Sequence, residues 1–221
     1  MAKSEIPDEY TAGKTFFLGC EIDLSLRPLI PRPETEFWAR HAIADLARKK
    51  NKNFRILDIF SGSGCVGIAV AKNLPQVKVD FSDIDSLAIE QIRINCKINN
   101  IDPNRARIFR SDLFENLPAE KYDAILANPP YVDPARMQEV QPSVLDWEPH
   151  CALFAQKGGM ALIEKFLSQA KNYLTENGFI YMEFDTLQKS RIDVRIKQNK
   201  YLSAEFFKDQ FGEWRFVRIT K

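Results

Sequence analysis

The chain has 221 residues, of which 45% are hydrophobic and 28% charged, which is enough apolar material for one substantial core. Its 31 lysines and arginines and 30 aspartates and glutamates give a net charge of +1, which argues against electrostatic binding of nucleic acid over the whole surface. No apolar run approaches the roughly 18–20 residues of a membrane span, and residues 1–9 lack the apolar stretch of a signal peptide. We therefore expect a cytoplasmic protein.

Metal-binding residue types are few and widely spaced. The chain has four cysteines and two histidines, at Cys20, Cys65, Cys96, Cys151, His41 and His150. None of the cysteines forms a CxxC pair, so we expect no metal site and interpret the cysteines as buried free thiols.

Residues 1–53 carry the patterns of a small N-terminal unit. Residues 15–24 place apolar side chains around a Leu-Gly turn, which predicts a β-hairpin. Three prolines between residues 28 and 33 predict an extended segment. The acidic residues that follow suit the first turn of a helix from Glu34 to about Arg48.

From residue 54 onward, short apolar runs alternate with helical patterns, as in successive βα units. The predicted strands are 54–59, 77–81, 106–110, 122–127 and 179–184, and 202–207 with 215–220 forms a closing antiparallel pair. The predicted helices are 65–73, one that begins at Asp85 or Ser86, one from Met160 through Leu174 with Asn177-Gly178 at its C-terminal cap, and a crossover helix over 191–196. The fold class is therefore α/β, with a catalytic unit over 54–221 on which residues 1–53 pack.

A glycine-rich turn, Asp58-Ile59-Phe60-Ser61-Gly62-Ser63-Gly64, separates the first strand of this sheet from the helix that follows. Glycines let a ligand approach the backbone, and the helix N-terminus presents free N–H groups. The turn is neither GxGxxG nor a P-loop. It predicts a nucleotide-like ligand.

Three aspartates stand just beyond successive strand ends: Asp58 after the first strand, Asp83 after the second and Asp112 after the third. These ends converge on one crevice in a doubly wound sheet. Asp83 suits a ribose diol, because an ionised carboxylate only accepts hydrogen bonds. Asp58 would serve an ammonium group and Asp112 an exocyclic amine, and this combination points to S-adenosylmethionine rather than NAD.

The tetrapeptide Asn128-Pro129-Pro130-Tyr131 directly follows the strand over 122–127. Its two prolines fix their own φ and restrict the residue before each of them. The Asn128 carboxamide oxygen and the Pro129 carbonyl can then accept both protons of a planar NH2 group, such as a glutamine amide or the amine of adenine, and aim its nitrogen at a methyl donor. Tyr131 offers a face for stacking.

With these motifs the sequence resembles the class I S-adenosylmethionine-dependent methyltransferases. More narrowly, it resembles the HemK-type protein-(glutamine-N5) methyltransferases that modify peptide chain release factors. The matching stretches are residues 29–36, 56–68 and 128–132, the pairs Glu148-Pro149 and Gly158-Gly159, residues 152–154, and Glu183 with Gln188. The resemblance covers roughly residues 10–221.

The resemblance implies a seven-stranded sheet whose last strand is antiparallel, a release factor as substrate protein and S-adenosylmethionine as cofactor. The cofactor residues that it implies are Thr35, Asp58, Phe60, Ser61, Gly62, Gly64, Asp83, Asp112, Leu113 and Asn128, with Asn128 to Tyr131 holding the glutamine. Phe60 stands where that family usually has a glycine. Fewer than 15 residues precede the hairpin, so we expect the family's helical N-terminal domain to be essentially absent.

Three alternatives stay open. An N6-adenine methyltransferase would use the same tetrapeptide. Such an enzyme has to flip a base out of the nucleic acid and bind the phosphate backbone, and a chain of this length with nearly equal numbers of acidic and basic residues has little room for both. The basic run over 48–53 is the only candidate in the sequence for phosphate contact. A glutamine of a ribosomal protein is a second candidate substrate. A module that binds the cofactor or a partner and has lost catalytic activity is the third.

Overall fold

The computed structural model describes residues 3–49 and 54–221. Its helices are α1 Asp8–Ala12, α2 Pro33–Ala47, α3 Cys65–Asn73, α4 Ser86–Ile98, α5 Pro142–Trp147, α6 Ala161–Ala170 and α7 Lys189–Gln198. Its strands are β1 Lys14–Phe17, β2 Cys20–Asp23, β3 Arg55–Ile59, β4 Lys78–Asp83, β5 Ala106–Arg110, β6 Tyr122–Ala127, β7 Leu174–Glu183, β8 Ser203–Lys208 and β9 Trp214–Thr220. The predicted boundary at residue 53 and most of the basic run over 48–53 lie outside the described residues.

Seven strands form one sheet in the order β5-β4-β3-β6-β7-β9-β8. The neighbours from β5 to β7 are parallel, and β9 runs antiparallel to both β7 and β8. This confirms the predicted sheet. Because β3, β4, β5 and β6 are parallel, their carboxyl ends open onto one edge, and the site lies there.

The predicted hairpin is β1 paired with β2, and the predicted helix after it is α2. Buried side chains of these elements, such as Phe17, Ile22 and Trp38, share one hydrophobic cluster with Ile56 and Phe81 of the sheet. The N-terminal elements are therefore part of the core that supports the site. This packing places α2 beside β7, where its first turn reaches the crevice.

The predicted end of the helix from Met160 and the predicted start of the strand after it are both wrong. Helix α6 ends at Ala170 and a 3-10 turn follows, so β7 already begins at the fully buried Leu174. Leu174 pairs with Tyr122, and the register then shifts before Phe179 pairs on β6. Asn177-Gly178 therefore belongs to an irregularity within a strand and not to a helix cap, although the two residue types suit both.

In the described parts of the chain, no helix combines the length and the apolar character needed to cross a membrane. The same residues contain no group of three or more histidine, cysteine, aspartate or glutamate side chains placed to hold a metal ion. Cys20, Cys65 and Cys96 are buried free thiols, whereas Cys151 is exposed.

Candidate functional site

A cavity of about 260 Å³ lies at the carboxyl ends of the parallel strands. Ten residues that the sequence analysis singled out line it: Thr35, Asp58, Phe60, Ser61, Gly62, Asp83, Asp112, Leu113, Asn128 and Pro130. The rest of that set, Gly64, Pro129 and Tyr131, does not line the cavity, although each adjoins a lining residue in the chain. The structure therefore brings the three acids, the glycine-rich turn and the start of the diproline turn to one place.

The glycine-rich turn is fixed to the sheet through Ser61. The Ser61 hydroxyl donates to the Asp58 carbonyl at 2.6 Å and accepts from the Ser82 backbone N–H at 3.0 Å. Gly62 and Gly64 have φ of 53° and 78°, in the left-handed region that glycine adopts without steric cost. The turn is thus held rigidly against β4 and presents its backbone to the cavity.

Phe60 has a φ of 60°, so it adopts the left-handed conformation that a glycine would adopt more easily. Its ring packs edge-on against Phe166 of α6, with 6.1 Å between the ring centroids. The side chain is thereby part of a hydrophobic cluster below the site. The cavity stays open beside this ring.

Asp58 lies within β3, not beyond it, and its side chain is buried. One carboxylate oxygen accepts from the Gly67 backbone N–H in α3 at 2.9 Å. The pKa of Asp58 is raised to about 8, chiefly by burial and to a smaller extent by nearby Asp83, while the Gly67 hydrogen bond acts against the shift. A cationic group beside Asp58 would offset this desolvation, which fits the predicted ammonium partner.

Gly67 is a residue that the sequence analysis missed. A β-carbon there would overlap the Phe81 ring and stand 2.9 Å from the Asp58 carboxylate. Because Gly67 has no β-carbon, α3 approaches β3 and β4 closely enough for the Gly67 N–H to reach Asp58. Glycine inside a helical pattern is the signal that could have found it.

Asp83 is the last residue of β4, and its carboxylate is held by two backbone amides. Gly62 N–H donates to one oxygen at 2.8 Å and Asp85 N–H to the other at 3.0 Å. Burial raises the pKa of Asp83, and these hydrogen bonds act against the shift. Each oxygen keeps acceptor capacity, so the group can receive the two hydroxyl protons of a diol.

Asp112 follows β5 and forms an ion pair with Lys165 of α6, with 2.9 Å between Nζ and Oδ2. Lys165 is not among the predicted site residues. The side chains are 39% and 40% exposed, so the pair is screened by solvent and a ligand can compete for it. The neighbouring Leu113 is buried with a φ of 51°.

The Asn128 carboxamide is connected to a buried carboxylate through one hydroxyl group. Asn128 Nδ2 donates to Thr35 Oγ1 at 3.2 Å, and Thr35 Oγ1 donates to Glu183 Oε2 at 2.7 Å. Trp38 Nε1 donates to the same oxygen at 2.6 Å, and the Tyr131 hydroxyl donates to Glu183 Oε1 at 2.9 Å. Glu183, the last residue of β7, thus connects the start of α2 with both ends of the tetrapeptide through hydrogen bonds.

The diproline turn is also supported from behind. Gln188 Nε2 donates to the Tyr131 carbonyl at 2.7 Å and to the Gly158 carbonyl at 3.3 Å. Gly159 has a φ of 76°, and a β-carbon on it would overlap the Tyr131 carbonyl. Tyr131 lines a second cavity and not the first, and its predicted stacking on the substrate stays a prediction.

Residues 26–32, with Pro149, Cys151 and Ala152, form the outer wall of the cavity. Buried Glu148 joins these two segments, because its carboxylate accepts from the Arg32 guanidinium at 2.5 Å and from the Ile30 backbone N–H at 3.1 Å. The ion pair fixes the extended proline segment over the cavity.

Comparison with known proteins identifies the family to which this chain belongs. Residues 42–145 match the model of the Methyltransferase small domain. The chain is 36% identical to a release factor glutamine methyltransferase of Streptococcus pneumoniae over 96% of its own length and 74% of that protein. The chain belongs to the release factor glutamine methyltransferase family. It is also 31% identical to a ribosomal protein uL3 glutamine methyltransferase of Francisella tularensis, over 85% of this chain and 59% of that protein.

The fold agrees with this family. The crystal structure of a ribosomal protein L11 methylase from Lactobacillus delbrueckii superposes with a TM-score of 0.66 at 18% identity, covering 90% of this chain and 83% of that one. This member of the release factor glutamine methyltransferase family therefore has a methyltransferase fold, and its methyl donor is S-adenosylmethionine. The acid-lined cavity fits that cofactor, since its three carboxylates can accept hydrogen bonds from the ammonium, the diol and the amine that such a ligand carries.

Proposed function

We propose that this enzyme methylates the side-chain amide nitrogen of the glutamine in the Gly-Gly-Gln loop of a peptide chain release factor. The observation that carries the proposal is the position of Asn128, whose carboxamide stands at the acid-lined cavity and is held there by Thr35. Since release factors act on ribosomes, we place the enzyme in the cytoplasm.

Four groups would hold S-adenosylmethionine. Asp83 would accept from the ribose hydroxyls, Asp58 would face the ammonium, Asp112 would accept from the adenine amine, and the turn over 60–64 would lie along the ligand. When bound, the cofactor supplies a methyl group on a positively charged sulfur.

The protein's part in catalysis is to grip and orient the amide. Within the described residues, nothing donates to Asn128 Oδ1 or to the Pro129 carbonyl, so a substrate would displace no protein donor from either oxygen. Each would take one N–H of the substrate, which fixes the plane of the amide and directs its nitrogen towards the cofactor site. The same acceptors stabilise the positive charge that develops on the nitrogen as it gains the methyl group. The methylated nitrogen is strongly acidic and loses one proton to water, so no strong base is needed.

The substrate of one relative, ribosomal protein uL3, is the second candidate, because the chain shares 31% identity with that enzyme. A glutamine amide presents the same two N–H groups in either protein. The residues that bind the amide do not discriminate between these two substrates, so both proteins have to be tested.

The test is incubation of the purified chain with S-adenosylmethionine and, separately, with a release factor, ribosomal protein uL3 and an adenine-containing oligonucleotide. Mass spectrometry then locates any added CH2. We expect the addition on the glutamine of the Gly-Gly-Gln peptide. Methylation of the oligonucleotide or of uL3 alone would overturn the proposal, and isothermal titration with S-adenosylhomocysteine would identify a chain that binds the cofactor without catalysis.

A further inference from the structure

The carboxamide of Asn128 can hold the substrate in only one of its two orientations. If its oxygen faces the substrate, it accepts an N–H of the glutamine amide. If its NH2 group faces the substrate, two donors meet and the grip is lost. Carboxamide oxygen and nitrogen have nearly the same shape, so neighbouring hydrogen bonds must decide between the orientations.

We propose that Trp38, Glu183 and Thr35 are positioning residues that set the orientation of the Asn128 carboxamide, and that they thereby make the site specific for a substrate group that brings N–H donors. We call these four residues the orienting network. This inference rests on the proposed function and extends it to the origin of substrate specificity.

The direction of the hydrogen bonds starts at Trp38. Its indole N–H can only donate, and it is fully buried with Nε1 at 2.6 Å from Glu183 Oε2. Oε2 therefore acts as an acceptor. Because Thr35 Oγ1 lies 2.7 Å from the same oxygen, the Thr35 hydroxyl gives its proton to Glu183.

A hydroxyl that has used its proton offers only lone pairs to its other neighbour. Asn128, 3.2 Å from Thr35 Oγ1, must then present Nδ2 to it and turn Oδ1 away. The only buried side-chain polar atom without a partner in the described part of the chain is Ser4 Oγ, so the unpaired Asn128 Oδ1 is accessible from the cavity that Asn128 lines. The oxygen is the atom that meets the substrate.

This orientation holds in both protonation states of Glu183. Burial raises the pKa of this carboxyl, while its three hydrogen bonds and Arg215 lower it. If the group is protonated, the proton resides on Oε1, where the Tyr131 hydroxyl can accept it, and Oε2 still faces Trp38 and Thr35. The network is therefore insensitive to pH in this respect.

The consequence is a site with acceptors on the side of the substrate. A glutamine amide donates one N–H to Asn128 Oδ1 and one to the Pro129 carbonyl. A glutamate side chain at the same position would place its carboxylate oxygens against these two oxygens, and no hydrogen bond would form. A buried polar group left without its partner is costly, so such a substrate is rejected strongly.

The first experiment replaces Thr35 by Val, which has the same shape and no hydroxyl, and compares it with Thr35→Ser. Single-turnover methylation is measured with saturating cofactor, and S-adenosylhomocysteine affinity by titration. Losing one orienting hydrogen bond should slow Thr35→Val about tenfold while cofactor affinity changes less than about threefold. Thr35→Ser should recover most of this loss. Thr175→Val, a matched control whose hydroxyl faces Asp123 at the far end of β7, should keep the wild-type rate.

The second experiment repeats the change in an Asn128→Asp background. A carboxylate presents an oxygen on either side and has no NH2 for Thr35 to orient, so Thr35→Val should slow this variant less than about twofold or speed it up. The same tenfold loss in both backgrounds would show that Thr35 acts by another route and would overturn the proposal. An unaffected Thr35→Val enzyme, or a Thr35→Ser enzyme as slow as Thr35→Val, would overturn it as well.

Should Thr35→Val fail to fold, Glu183 provides an independent test. Gln at 183 can place its oxygen towards Trp38 and Thr35, so we expect Glu183→Gln to recover most of the rate that Glu183→Met, which has no such acceptor, loses. Equal losses in the two variants would contradict the network. A wild-type enzyme that does not methylate the release factor at all would instead contradict the proposed function, and the two failures are thus distinguishable.

Discussion

Cofactor binding should release a proton from Asp58. In the free protein, burial raises the pKa of this carboxyl to about 8. The ammonium group of the ligand favours the ionised carboxylate and would bring that pKa down. At a pH of 7, a group with a pKa of about 8 is roughly nine-tenths protonated, so binding should release close to one proton per ligand.

The assay is calorimetric titration with S-adenosylhomocysteine, which carries the same amino acid group, at pH 7 in buffers that differ in ionisation enthalpy. The slope of the observed enthalpy against the buffer enthalpy gives the number of protons released. Affinity should also strengthen with pH, by up to about tenfold per unit below the pKa of Asp58. Asp58→Asn should bind more weakly and release fewer protons.

The same pKa predicts how the stability of the free protein depends on pH. Because the folded-state pKa lies above the usual 3.8, the protonated folded form is favoured, and this contribution is complete at low pH and lost as pH rises through about 8. Asp58→Asn should flatten that part of the profile. A wild-type titration that releases no proton, or a release equal to that of Asp58→Asn, would refute the assignment of Asp58 to the ammonium.

Three further substitutions test single parts of the site. Asp83→Asn should weaken S-adenosylhomocysteine binding by about 10- to 100-fold in titration, since hydrogen bonds to a charged group are worth about 1.5–3 kcal/mol; an unchanged affinity would remove Asp83 from the diol site. Gly67→Ala gains about 1 kcal/mol of helix propensity but overpacks against β4 at a cost of about 1–3 kcal/mol, so denaturant unfolding should show a net loss, and a more stable protein would contradict the packing. Gly159→Ala should displace the Tyr131 carbonyl and lower the methylation rate more than the cofactor affinity, whereas a rate equal to wild type would show that the turn tolerates the shift.

The sheet was predictable because its strands are short segments that are mostly apolar, as in β6, or alternate apolar with polar residues, as in β4. The bounds of β5, β6 and α3 agree with the sequence prediction to the residue. The convergence of Asp58, Asp83 and Asp112 on one cavity also follows from a rule that needs no coordinates, namely that the carboxyl ends of parallel strands share an edge.

Other features depend on contacts between residues far apart in the chain. The start of β7 at Leu174 is set by pairing with Tyr122, which outweighs the local helix-cap signal of Asn177-Gly178. Glu183 and Trp38 are 145 positions apart, and nothing in the local pattern of either indicates that they share a hydrogen bond. Glu183 is the last residue of its strand, as Asp83 is, and that position was the available signal.

Direct evidence for the grip on the substrate would come from comparing wild-type enzyme with Asn128→Ala in one experiment. Methylation of the Gly-Gly-Gln glutamine is followed by mass spectrometry while S-adenosylhomocysteine affinity is measured on the same preparations. We predict that the wild type adds one CH2 to that glutamine, that Asn128→Ala does so about 100-fold more slowly, and that the two bind the cofactor product equally. Equal methylation by both proteins, or a parallel loss of rate and cofactor affinity, would contradict the role of the Asn128 carboxamide.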